Sequence, residues 1–157
     1  MFDQYTYLNN LVTVVPEGEE TTVIPEIKAV KRISGLSNLE EMLKDLRGLQ
    51  YPLILAEDKG DGFLSFSGRN LDNGYHSFYL VSKAKIENSN SRIEVQALCM
   101  ALGKKVFKKM LADSENFGDP SYGFDSGRID YMRIGPLVNN FHGYSFSYII
   151  KDENITL

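Results

Sequence analysis

Tryptophan is absent from this chain of 157 residues, and cysteine occurs once. A single thiol, Cys99, permits no disulfide within the chain and no multi-cysteine zinc site, and it fits a reducing compartment. No apolar run approaches the roughly 18 residues that a membrane span requires, and Asp3 stands where a signal peptide carries its basic region. Neither membrane insertion nor secretion is expected. Basic charge is in deficit as well, with 17 Lys and Arg against 21 Asp and Glu for a net charge of −4. That balance is unsuited to neutralising phosphates, so sequence-specific nucleic-acid binding is not expected. The phosphate-cradling patterns GxGxxG and GxxxxGK followed by Ser or Thr do not occur, which excludes nucleotide binding by those routes.

What remains is an ordinary globular composition, 43% hydrophobic and 24% charged, in a chain long enough for one domain. The element pattern predicts an α+β fold: an antiparallel or mixed sheet of four or five strands packed against one long helix, with shorter helices before it. Residues 1–36 read as an N-terminal arm or helix with an acidic connection, and 37–157 as the α+β domain. In the arm, Tyr5, Leu8, Val12 and Val15 fall at helical spacing, while Pro16 to Pro25 combines three glutamates with two prolines and cannot extend a helix. Residues 26–34 fit helix and strand about equally, through Ile27, Val30 and Ile33.

Ser37 and Glu40 form a capping box, and Leu39, Met42, Leu43 and Leu46 make one apolar stripe, which predicts a helix over 38–47 stopped by Gly48. YPLILAE (51–57) has apolar residues on both faces, the pattern of a central strand. A turn at 58–62, a short strand at 63–66 and a connection at 67–74 lead to a long extended run, 75–87. Those 13 residues would reach about 43 Å, whereas a domain of this length has a radius of gyration of only about 15 Å. The run is expected to bend around the core or project beyond it.

Ser91 and Glu94 open a helix reaching about Ala112. Ile93, Val95, Cys99, Met100, Leu102, Val106, Phe107, Met110 and Leu111 fill one half of its wheel and are expected in the core, with Gly103 among them as a point of close approach. The other half carries Lys104, Lys105, Lys108 and Lys109, either a solvated face near a helix C-terminus or a basic stripe turned toward a partner. A long glycine-rich loop (114–127) and two closing strands, 128–134 and 144–151, complete the chain.

Chemistry-bearing residues do not assemble into a recognised motif. Glu57, Asp58 and Asp61 invite a metal, but counting from Asp58 an EF-hand loop would need acids where Gly60 and Arg69 stand, so a polar hairpin turn is the better reading. His76 and His142 are 66 positions apart and lie in no metal or nucleophile spacing; Ser65 and Ser67 lack the glycines of a nucleophile elbow. Cys99 reads as a buried, inert thiol. The expectation is therefore no catalytic residue, no metal and no cofactor. The aromatics are more suggestive: nine tyrosines and nine phenylalanines concentrate toward the C-terminal loops and strands. Tyr75, Tyr79, Phe117, Tyr122 and Phe124 are the candidates for a subunit interface, because such side chains bury large area while tyrosine keeps a polar tip.

The element order, together with YPLILAED (51–58), ALGKKVFKKML (101–111) and SGRIDYMRIGPLVNNFHGYSFSYII (126–150), resembles small tail-completion or tail-terminator proteins from phages and prophages of Bacteroides-type gut bacteria. The resemblance covers about residues 37–151. It implies a non-enzymatic tail-terminator or head-tail junction (neck) component, a homo-oligomeric ring whose partners are itself and other phage tail or neck proteins. Its implied location is the virion, after assembly in the bacterial host cytoplasm. On this reading the run at 75–87 and the loop at 114–127 are the segments available to a neighbouring subunit. The alternative is a cytosolic ligand-binding module or small enzyme with a pocket between sheet and long helix, which convergent polar groups, for instance His76 with Asp130 or Arg128, would support.

Overall fold

The computed structural model describes residues 2–12, 24–44, 50–58, 60–85 and 88–153. In chain order these form α1 (Gln4–Val12), β1 (Ala29–Ile33), α2 (Gly35–Lys44), β2 (Leu53–Glu57), β3 (Gly62–Ser65), β4 (Leu71–Lys83), α3 (Ser89–Ser114), β5 (Asp130–Leu137) and β6 (Phe141–Asp152). The fold is α+β with one mixed sheet, in the order β1-β2-β4-β6-β5, and β3 pairs with β4 beside β2. All pairings are antiparallel except that of β1 with β2, which α2 connects as a crossover.

The sheet has six strands rather than four or five, because the segment at 26–34 supplies β1. Its spacing of three matched a helix for a physical reason. In a strand, residues three apart face opposite sides, and here each side meets a core: Val30 is buried in the first, beside α1, and Ile33 in the second, beside α2. The first core gathers Leu8, Ile54, Phe78, Leu102, Val106, Phe107, Phe146 and Tyr148; the second joins Leu39 and Leu43 to Leu53, Leu55, Val81 and Phe141. YPLILAE accordingly forms a strand buried on both faces, second in the sheet order.

Several expectations are corrected. The helix α1 is no arm: Tyr7, Leu8 and Leu11 are buried in the first core. Most of its acidic connection, residues 13–23, lies outside the described residues, as do 45–49 and 86–87. The start of α2 is earlier than the box at Ser37 and Glu40, and it is Asn38 Oδ1 that accepts from the Ser34 N–H at 2.9 Å. Likewise α3 starts ahead of Ser91, with Asn88 as its cap accepting from the Ser91 N–H at 3.1 Å. Ile93 and Leu111 are exposed instead of buried, Ile93 to 58%: five whole turns apart, they share one position at the rim of the apolar half, well off the stripe of Cys99, Leu102, Val106 and Met110 that meets the sheet. Leu102, Val106 and Phe107 are buried, with Lys104, Lys105 and Lys108 exposed, as the wheel predicts. Gly103 is the point of close approach: a Cβ there would enter the Phe146 ring.

The long strand does not project with open edges. It runs from Leu71, earlier than expected, and pairs with β6 from Asp72 to Lys83 on one side and with β3 and β2 on the other. Between those last two, the Tyr75 N–H donates to Asp61 O at 2.9 Å, and Gln4 Nε2 donates to Ser77 O at 2.8 Å and Glu57 O at 3.2 Å. The loop after α3 is also tied to its own domain. Asp125 N donates to Ile149 O at 2.9 Å, Lys151 N to Gly123 O at 2.8 Å, and Ser121 is fully buried.

Candidate functional site: an end cleft and an open sheet edge

Turn chemistry builds the first feature. Asp119 Oδ1 accepts from both the N–H and Oγ of Ser121, at 2.9 and 2.7 Å, which folds the loop back so that Phe124 bridges to Ile150. The folded loop walls a cleft of about 810 Å³ at the start of β4 and the end of β6. Phe2 and His76 line it deeply, Phe117 and Tyr122 stand on the loop side, and Arg69 pairs with Glu153 at 2.8 Å on its rim. His76 is buried, stacked on Tyr148 with centroids 5.6 Å apart and edge-on to Phe2 at 5.1 Å.

The predicted interface aromatics do not form one patch. Phe117 and Tyr122 meet edge to face at 5.2 Å, and Phe117 is 89% exposed, a large apolar surface held in water. Tyr75 is exposed beside Phe63, centroids 5.8 Å apart, on the opposite face of the sheet from His76. Tyr79 is half-buried and donates to Glu57 Oε1 at 2.8 Å; burial and that bond push its phenol up to about 12. Phe124 is a packing residue, stacked on Phe107 at 6.1 Å. Of the lysine stripe, Lys105 pairs with Glu26 and Lys109 with Asp113, each at 2.7 Å; among the described residues Lys104 and Lys108 form no ion pair.

The example of convergence that would support the alternative, His76 with Asp130 or Arg128, does not occur. Asp130 and His76 belong to opposite faces of the sheet, and Asp130 instead pairs at 3.0 Å with Arg128 in solvent. The space between sheet and α3 is filled by Cys99, Leu102, Val106, Phe107 and Met110. Burial pushes the Cys99 thiol up to about 12. His142 Nε2 lies 3.1 Å from Asn140 Oδ1; burial lowers its pKa, and the Arg92 charge adds to that. Among the described residues, no group of three or more His, Cys, Asp or Glu could hold a metal ion. Nor is any described helix long and apolar enough to cross a membrane.

The second feature is the terminal strand β5, which sequence reasoning took for ordinary sheet. Asp130, Tyr131, Met132 and Arg133 are all exposed, with Tyr131 and Met132 each at 64% on opposite faces. Alternation alone signals a strand but not its place at an edge. No family model matches the chain, and no curated protein or solved structure matches it.

Proposed function

We propose that this protein is a non-enzymatic structural subunit that assembles with copies of itself into a ring, as a tail-terminator or head-tail junction component of a phage or prophage. The observation that carries the reading is the apolar surface left in water on elements tied to their own domain: Tyr131 and Met132 on β5, which pairs with β6, and Phe117 on the loop. Large exposed apolar side chains in fixed positions suit a protein–protein contact. The resemblance over residues 37–151 supplies the particular assembly, and with it the virion as its location and other tail or neck proteins as partners. Electron microscopy of the purified full chain tests the reading: closed rings are expected, and a field of single 157-residue particles contradicts it.

The cleft favours a second reading, a ligand-binding module. Its volume of about 810 Å³ lies within the span of small-molecule sites, roughly 300–1,000 Å³, and its aromatic lining suits a flat apolar group. A panel of aromatic small molecules that raises the melting temperature of the wild type, but not of a Phe117→Ala variant, would favour this reading over assembly.

A further inference from the structure

The two ends of the sheet differ in a complementary way. At one end β1 is partly covered on both faces, with Lys31 and Arg32 left exposed: α1 packs on Val30, and Tyr5 stacks on the Arg32 guanidinium at 4.5 Å, while α2 packs on Ile33. At the other end β5 is bare on both faces at Tyr131 and Met132. Among the described residues no strand pairs the outer edge of either. An open edge presents a row of backbone donors and acceptors that another chain can satisfy. The outer edge of β3 is also open but only four residues long, against the five of β5, Asp130–Ile134, that precede its register shift and Pro136.

Strand direction decides which partner fits. From β1 to β5 the sheet passes one parallel and three antiparallel pairings, so β5 runs antiparallel to β1. A second copy placed beyond β5 in the same orientation therefore offers its β1 as an antiparallel neighbour with faces matched. One register sets Asp130 opposite Lys31, Tyr131 opposite Val30 and Met132 opposite Ala29; the next pair, Arg133 and Lys28, is of like charge, with the Lys28 ammonium turned to Pro25 O at 3.0 Å. Asp130 and Lys31 share the α2 face, since Asp130 is opposite Ser147 and Lys31 opposite Leu55. Both are exposed. In that arrangement the second copy's α1 and α2 flank Tyr131 and Met132 on their respective faces, which would reduce the exposure of both. Such a contact joins two different surfaces, so it repeats head to tail and closes into a ring where the rotation allows.

We infer that the outer edge of β5 is a docking strand for β1 of a second copy of this chain, with the Asp130–Lys31 charge pair fixing the register. The inference rests on the assembly reading above and names its contact. The exposed Arg128–Asp130 pair is no obstacle, because surface pairs of that kind are worth little and the carboxylate has a second oxygen.

Charge reversal tests it in the full chain. Asp130→Lys and Lys31→Asp each place like charges across the contact and should weaken self-association by about tenfold. The double variant restores the pair and should return association to within about threefold of the wild type. Circular dichroism checks that each variant folds, and because the two residues sit at opposite ends of one sheet, restoration cannot arise within a single copy. If the wild type assembles but neither reversal weakens it, or the double variant does not recover, the docking strand is wrong while the assembly reading stands. A wild type that does not associate overturns both.

Discussion

Tyr148 donates its phenolic O–H to Gln4 Oε1 at 2.8 Å, a bond between the first helix and the last strand across 144 positions of sequence. The same Gln4 side chain donates its amide to the carbonyls of Glu57 and Ser77, where β2 and β3 leave a gap along β4. One buried residue thus satisfies two strand carbonyls and one buried phenol. Replacing Gln4 by Leu strands all three groups and should cost about 1–3 kcal/mol, whereas Tyr148→Phe, which strands only an amide oxygen, should fall at the low end of that range. Urea denaturation measures both, and a neutral Gln4→Leu would show that water serves the gap as well as the amide does.

Phe107 packs against Phe78, Phe124, Phe146 and Tyr148, with every ring centroid within 6.1 Å. Phe107→Ala should destabilise by about 3–5 kcal/mol as a core truncation. Gly103→Ala tests the same interface in the opposite sense. In an open helix that change stabilises by roughly 1 kcal/mol, but here the added methyl meets the Phe146 ring, and a loss of about 1–3 kcal/mol is expected.

These positions show where the sequence was readable. The wheel of α3 assigned Leu102, Val106, Phe107 and the lysines correctly because a sheet on one side imposes a 3.6-residue period. Ile93 and Leu111 stand at the margin of that half, where the wheel does not say how wide a stripe the sheet covers. The start of β4 was read as a connection because Asn73 and Gly74 are turn residues by composition. In the sheet, Asn73 Nδ2 donates to Phe63 O at 3.3 Å, and Gly74 lies opposite Gly62, where a Cβ would crowd the β4 backbone. The cleft depends on Phe2 meeting His76, a contact between residues 74 positions apart that no local pattern encodes. Tyr131 and Met132 were visible as strand residues, but their exposure follows from sheet order, which local periodicity does not reveal.

His142 gives a pH dependence with a definite sign. Its folded pKa lies below the ordinary 6.5, so the unfolded chain binds the proton more readily. Its contribution to stability is full above pH 6.5 and is lost as pH falls through 6.5 toward the folded value. Glu26, lowered by its bond to Lys105 from an ordinary 4.5, acts in the same direction at lower pH. His142→Asn should therefore flatten the stability profile just below pH 6.5 and leave the more acidic part intact. An unchanged slope there would mean that His142 charges as freely in the folded protein as in the unfolded one.

Cys99 is fully buried and its thiol is pushed up by that burial. A thiol reagent at pH 8 should react with native protein only at the rate of unfolding, and at once in denaturant. Immediate reaction of the native chain would place Cys99 at the surface of α3.

Sedimentation velocity of the wild-type chain across a concentration series tests the central claim most directly. Self-assembly into a ring predicts one discrete species at a whole-number multiple of the chain mass, appearing without an open-ended ladder of larger sizes, because head-to-tail contacts that close leave no free edge. A sedimentation coefficient that stays at the value of a single chain at every concentration would contradict it.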